Sequence, residues 1–264
     1  MNNALIGYSG FVGSTLLKQA SFDACFRSTN IATIEGQSFD TVVCAGAPAQ
    51  KWIANREPEA DLRKIEGLIA HLKTIQCKTF VLISTVDVFK EPIGVDEATP
   101  VVESGLHAYG LHRRLLEKFV EHHFPAHLIV RLPGLVGPGL RKNVVYDFLN
   151  TNNLNAIESR GVFQFYPMVN LWYDIQTALK AGVKLLHLTA EPVSVAEVSK
   201  EGFGKLFDQV LPGTPATYDM RTIHAATFGS AGLYQYGARE TIQAIRAYAQ
   251  SEPLALKTDS GVKS

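Results

Sequence analysis

"ALIGYSGFVGSTLLKQ", residues 4–19, contains a change of period. Ala4-Leu5-Ile6 is a short apolar run of the kind that forms a strand buried on both faces. From Phe11 to Gln19 the apolar residues recur at helical spacing. Between the two stand Gly7, Gly10 and Gly13, one at every third position. A strand that passes into a helix over so few residues needs a tight turn, which the first glycine permits. The third lets the helix pack close to the sheet. The second leaves bare backbone beside the unpaired N–H groups of the helix start, a place suited to phosphate oxygens. A loop that holds nothing is the rival reading, so the rest of the chain has to decide.

Further along, strand-like runs appear at Ala24–Arg27, Thr41–Cys44, Thr79–Ser84 and His127–Arg131. Helical spacing appears over Glu59–Thr74 and Tyr109–His122. Continuous apolar strands separated by helices predict an α/β architecture, a Rossmann-type doubly wound parallel sheet. The expected division is a dinucleotide-binding domain over 1–140, rejoined by about 166–190. A smaller substrate-binding region over 141–250 and a frayed tail over 251–264 complete it. Within the second part Ser194 and Glu197 are spaced for a capping box, and 240–248 reads as a last helix.

The chain has 264 residues, 46% of them hydrophobic, and a formal net charge of zero. That balance excludes a disordered chain and argues against a nucleic-acid partner. No apolar run is long enough to span a membrane and no secretory leader is visible, so a cytoplasmic protein is expected. Cys25, Cys44 and Cys77 are too few and too scattered for a disulfide framework or a zinc site. His122, His123 and His127 lack metal-ligand spacing and read as surface histidines at a helix end, so no metal is expected.

Two stretches add chemistry. The second strand ends in Arg27, Ser28, Thr29 and Asn30, with no carboxylate to accept from ribose hydroxyls. A guanidinium suits a 2′-phosphate, which favours NADP(H) over NAD(H), unless Arg27 is merely solvated. "VLISTVDVF", 81–89, is a buried strand ending in hydroxyls, and "HAYGLHRRLLEKF", 107–119, places Tyr109 and Arg113 on one helix face. Beside a nicotinamide, the phenol can exchange a proton with a substrate oxygen, the hydroxyl can hold that oxygen, and the cation can lower the phenol pKa.

These motifs, in order, resemble the extended short-chain dehydrogenase/reductase family of nucleotide-sugar epimerases, dehydratases and reductases. The glycine pattern is followed by "VVCAGAP" (42–48), "STVDVF" (84–89), Tyr109 and Glu117 in the Tyr-Gly-x-x-Lys-x-x-x-Glu pattern, "RLPGLVGPG" (131–139) and "FYPMVNLWYDIQTAL" (165–179). The resemblance implies hydride transfer at a sugar carbonyl or hydroxyl, with Thr85, Tyr109 and Arg113 as catalytic residues. It implies cofactor contacts from Gly7, Ser9, Gly10, Phe11, Val12, Gly13, Arg27, Ser28, Ala45, Gly46, Ala47 and Pro133. Asp87, Arg141, Lys142 and Asn143 would face the substrate, a nucleotide sugar, and a homodimer stays open. The basic loop at Arg141 and Lys142 has a bland rival, ordinary solvation.

Three residues depart from the pattern: Arg113 stands where the family has lysine, Ile6 where it often has threonine, and Gly46 where it has alanine. Arginine can prime Tyr109 and reach the nicotinamide ribose, but its permanent charge makes it a poor proton relay. A reductase of another small carbonyl and a non-catalytic NADP(H)-binding or redox-sensing protein of the same fold therefore stay open.

Overall fold

The computed structural model describes residues 2–255. Six strands form one parallel sheet: β1 (Asn3–Ile6), β2 (Ala24–Phe26), β3 (Ser38–Cys44), β4 (Gln76–Thr85), β5 (His127–Leu132) and β6 (Leu185–His187). Their spatial order is β6-β5-β4-β3-β1-β2. The chain leaves β1 to one side for β2 and returns to the other side for β3, so the strand order reverses between β1 and β3. In sheets of this kind ligands bind outside the carboxyl ends of the strands at that reversal.

Alternation along the strands separates two cores. Ala4, Ile6, Val42, Cys44, Phe80, Leu82 and Ile129 face α3 (Pro58–Leu72) and α4 (Ala108–His123). Leu5, Val43, Val81, Ile83, Leu128 and Val130 face α1 (Phe11–Gln19) and α6 (Leu171–Lys180). A strand with both faces covered has no reason to alternate polar and apolar residues, hence the unbroken apolar runs. The short helix α2 (Lys51–Arg56) follows β3, and α5 (Val144–Asn150) follows β5.

A third apolar cluster joins α5 to α8 (Ala238–Ser251) through Val145, Phe148, Ile245 and Tyr248. The one-turn helix α7 (Val195–Glu197) starts with the expected box: Ser194 Oγ accepts from Glu197 N at 3.1 Å, and Glu197 Oε2 accepts from Ser194 N at 2.8 Å. Strands β3 and β4 extend further towards their amino ends than the apolar runs suggest. There polar Ser38, Asp40, Gln76 and Lys78 alternate with Phe39 and Cys77, and the two ends still pair in parallel register. The expected tail lies mostly outside the described residues.

A candidate dinucleotide and proton-transfer site

At the carboxyl end of β1, Gly7 has a positive φ of 85°, which favours glycine, and a Cβ there would lie 2.3 Å from the Ala45 carbonyl oxygen. A Cβ at Gly13 would lie 2.2 Å from the Gly7 carbonyl oxygen. The fold itself therefore demands both glycines. Gly10 differs: it is the N-cap of α1 with an ordinary φ of −77°, and a Cβ would meet nothing closer than the Gly7 oxygen at 3.5 Å. Its bareness is not required by packing. The first turn of α1 carries no acidic residue, so the helix start is left to an anion.

Across the strand reversal, Ala45, Gly46 and Ala47 follow β3. A Cβ at Gly46 would sit 2.9 Å from Ile6 Cγ2. Two of the departures from the resembled pattern thus occupy one space: the Ile6 methyl fills what an alanine side chain at 46 would need. Arg27, at the end of β2, lies with its guanidinium 5.7 Å from the Tyr8 ring centre and its Nε donates to Thr29 Oγ1 at 3.0 Å. Among the described residues no carboxylate pairs with it. Ser28 is exposed beside it and Pro133 follows β5.

Beyond β3 the crevice reaches α4. Gly110 allows that helix to touch the neighbouring backbone, since a Cβ there would fall 2.0 Å from the Asp87 carbonyl oxygen. The helix start is held by two side chains. His107 Nδ1 accepts from Gly110 N at 3.0 Å, and Asn55 Oδ1, on α2, accepts from Tyr109 N at 2.9 Å. Tyr109 is thereby fixed beside the end of β4, where Thr85 ends the strand. Burial pushes the Tyr109 phenol pKa up; Arg113 and the Thr85 hydroxyl oppose this, and Asp87 adds to it. The net direction is upward, which corrects the expectation that a cation would lower it: desolvation outweighs the guanidinium.

Arg113 lies against Tyr109, as the four-residue spacing implies, but its hydrogen bonds go elsewhere. Its Nη2 donates to Asp61 Oδ1 at 3.0 Å, its Nη1 donates to Asp61 Oδ2, and Nη2 also donates to the Pro48 carbonyl. Its guanidinium carbon stands 4.0 Å from the Tyr109 ring centre. Both terminal nitrogens are thus taken by α3 and the loop after β3, which corrects the reading in which Arg113 reaches a ribose. Asp61 also meets His112 Nδ1 at 2.7 Å. Burial pushes Asp61 up, but the hydrogen bonds from Arg113 and His112 hold its carboxyl below the usual range.

Of the residues expected to face a substrate, Asp87 pairs with Lys51 of α2, Nζ to Oδ1 at 2.7 Å. Lys142 Nζ donates to the Ala49 carbonyl, and burial pulls its pKa down. Arg141 is exposed. Asn143 caps α5: Oδ1 accepts from Val145 N at 3.0 Å and Nδ2 donates to Leu135 O at 2.9 Å. Sequence reasoning missed Lys51, Asn55, Asp61 and His107. None carries a motif, and the Asp61–Arg113 contact spans 52 positions.

Neither a protein-family model nor a curated protein sequence matches the chain. Solved structures do. The enzyme WbmG of Bordetella bronchiseptica, in complex with NAD, aligns with a TM-score of 0.72 at 16% identity over 97% of this chain and 98% of its own. The dTDP-4-dehydrorhamnose reductase of Bacillus anthracis, in complex with NADP, gives 0.69 at 16% over 94% and 98%. A UDP-N-acetylglucosamine 4-epimerase of Methanobrevibacter ruminantium, in complex with UDP-N-acetylmuramic acid, gives 0.70 at 13% over 94% and 97%. The chain has the fold of the extended reductase and epimerase group. At such identities the likeness is one of fold, and it spans nearly the whole length of both partners. No helix among the described residues is long and apolar enough to cross a membrane.

Proposed function

We propose that the protein is an NADP(H)-dependent oxidoreductase that reduces the carbonyl of a nucleotide sugar. The observation that carries this reading is that the Gly7–Gly13 turn and the Thr85–Tyr109 pair share the carboxyl edge of one sheet, on either side of the strand reversal. The turn and the α1 start would hold a pyrophosphate, with Gly10 as the bare floor of the cradle. Arg27 and Ser28 would take a 2′-phosphate, which is why NADP(H) is favoured. Ala45, Ala47 and Pro133 would border the same ligand. When bound, the nicotinamide supplies the hydride.

The protein's own part is proton delivery and positioning. Thr85 holds the substrate oxygen, and Tyr109, kept neutral by burial, gives it a proton. A phenol kept protonated at neutral pH is in the donor form that reduction requires. Arg113, clamped by Asp61, holds the phenol ring by its face. Asp87, Arg141 and Lys142 would border the diphosphate and sugar, with 141–250 as the substrate side. Three free thiols suit a reducing compartment.

The occupied state of Arg113 favours one other reading, a protein that binds NADP(H) without turnover. The test is NADPH oxidation with a panel of 4-keto nucleotide sugars. We expect turnover in the wild type and a loss of roughly 10²–10⁴-fold in Tyr109→Phe, with NADPH affinity nearly unchanged. Binding with no turnover of any substrate would select the binding-only reading. Turnover unchanged by Tyr109→Phe would place the chemistry elsewhere.

A further inference from the structure

A buried phenol that gives up its proton must recover it. Arg113 cannot return it, because a guanidinium stays charged and both its terminal nitrogens are already bonded. A different path leads out of the site. The Thr85 hydroxyl acts on the Tyr109 phenol, and Thr85 Oγ1 donates to Asp87 Oδ2 at 3.4 Å. Asp87 Oδ1 accepts from Lys51 Nζ at 2.7 Å, and the Lys51 side chain is 39% exposed. We propose that Thr85, Asp87 and Lys51 form a proton relay between Tyr109 and solvent, with Lys51 as its outer end. This rests on the reading of Tyr109 as the acid.

The steps balance as follows. Bound NADPH would supply the hydride for the new C–H bond and be oxidised; Tyr109 gives its O–H proton to the substrate oxygen, so that the carbonyl becomes an alcohol and a phenolate is left. The Thr85 hydroxyl proton passes to the phenolate. An ammonium proton of Lys51 passes through the Asp87 carboxylate to Thr85, and water reprotonates the Lys51 amine. Burial works against the Lys51 charge, but Asp87 beside it lifts its pKa above the ordinary lysine value. Both ends of the relay therefore bind protons tightly, so transfer between them is close to balanced and Asp87 need not hold a proton for long. Tyr109 is faced by Arg113, Asp87, Thr85 and Lys51, Lys51 by Asp87, Tyr218 and His107, and Asp87 also by Tyr218, His107 and Lys142.

The relay can be read without substrate or cofactor. In a stopped-flow jump from about pH 8 to about pH 11, tyrosinate absorbance of the intact protein minus that of Tyr109→Phe reports the ionisation of Tyr109. We expect this signal to slow by roughly tenfold or more in Lys51→Met and to recover when a small primary amine is added. Lys51→Arg is the deciding variant. It keeps a cation against Asp87 but cannot surrender a proton, so it should be as slow as Lys51→Met. A wild-type rate in Lys51→Met, or one restored by Lys51→Arg, would overturn the relay and leave Lys51 a structural charge. Such a failure is separate from failure of the oxidoreductase reading, which is measured by NADPH binding and turnover.

Discussion

At the glycine turn, Ile6 and Gly46 trade volume: the isoleucine methyl lies where an alanine side chain at 46 would have to be. At the start of α4, Arg113 and Asp61 trade charge: a guanidinium replaces the ammonium of the resembled pattern, and a buried carboxylate holds it. The first exchange leaves the crevice in the shape its backbone dictates. The second alters what the site can do, because the arginine is fixed and cannot pass a proton. Departures of equal size in sequence thus differ in consequence, according to whether the exchanged property is packing or ionisation.

The charge exchange should break hardest. Asp61→Asn leaves the Arg113 guanidinium buried without a counter-ion, and should lower unfolding free energy in urea by about 3–5 kcal/mol. A loss no larger than that of a surface substitution would show that the pair carries little. The volume exchange should break more gently. Gly46→Ala should cost about 1–3 kcal/mol as the methyl meets Ile6. In a double-mutant cycle with Ile6→Ala, the double variant should be more stable than the sum of the two losses, by about 0.5–3 kcal/mol. Strict additivity would mean that the two side chains do not share the space.

Acid should separate the two ends. The Asp61 carboxyl is held below its ordinary value, so its contribution is present above the unfolded carboxylate pKa of about 4. Below that the unfolded chain binds more protons than the folded one, and stability falls until the pH has passed the folded pKa. Urea unfolding followed from neutral pH into acid should show this slope in the wild type and in Gly46→Ala alike. Asp61→Asn should flatten it, though only in part, because Glu117 on α4 is also held low: burial pushes it up, but Arg131 and Ser84 outweigh that. Parallel curves for all three proteins would contradict the assignment. The smallest effect concerns cofactor choice. Arg27→Ala should remove most of a preference for NADPH over NADH, about 1–3 kcal/mol by calorimetry. Equal affinities in the wild type would remove the basis for that preference.

Much of the fold was legible because its determinants are local. The boundaries of α1 follow from the glycines and the apolar spacing alone, and the apolar runs mark the sheet strands whose two faces are covered. The capping box at Ser194 is a matter of residues three apart. The site was legible only where a single residue type carries the chemistry, as with Tyr109 and Thr85. What Arg113 does depends on Asp61, and what Asp87 does depends on Lys51, each brought near by the parallel order of distant strands. Periodicity has no access to such contacts. Nor could sequence alone show that burial would override the cation beside Tyr109, since desolvation is a property of the assembled site.

Gly10→Ala tests most directly whether the crevice is a dinucleotide site. Gly7 and Gly13 are needed by the backbone, but Gly10 has an allowed φ and room for a methyl group. The change should therefore leave the urea midpoint of the protein nearly unmoved, within about 0.5 kcal/mol. It should also obstruct close approach of a pyrophosphate to the helix start, so calorimetric titration with NADPH should show affinity reduced by roughly tenfold or more, about 1.4 kcal/mol. A stable Gly10→Ala protein that binds NADPH as tightly as the wild type would contradict the account.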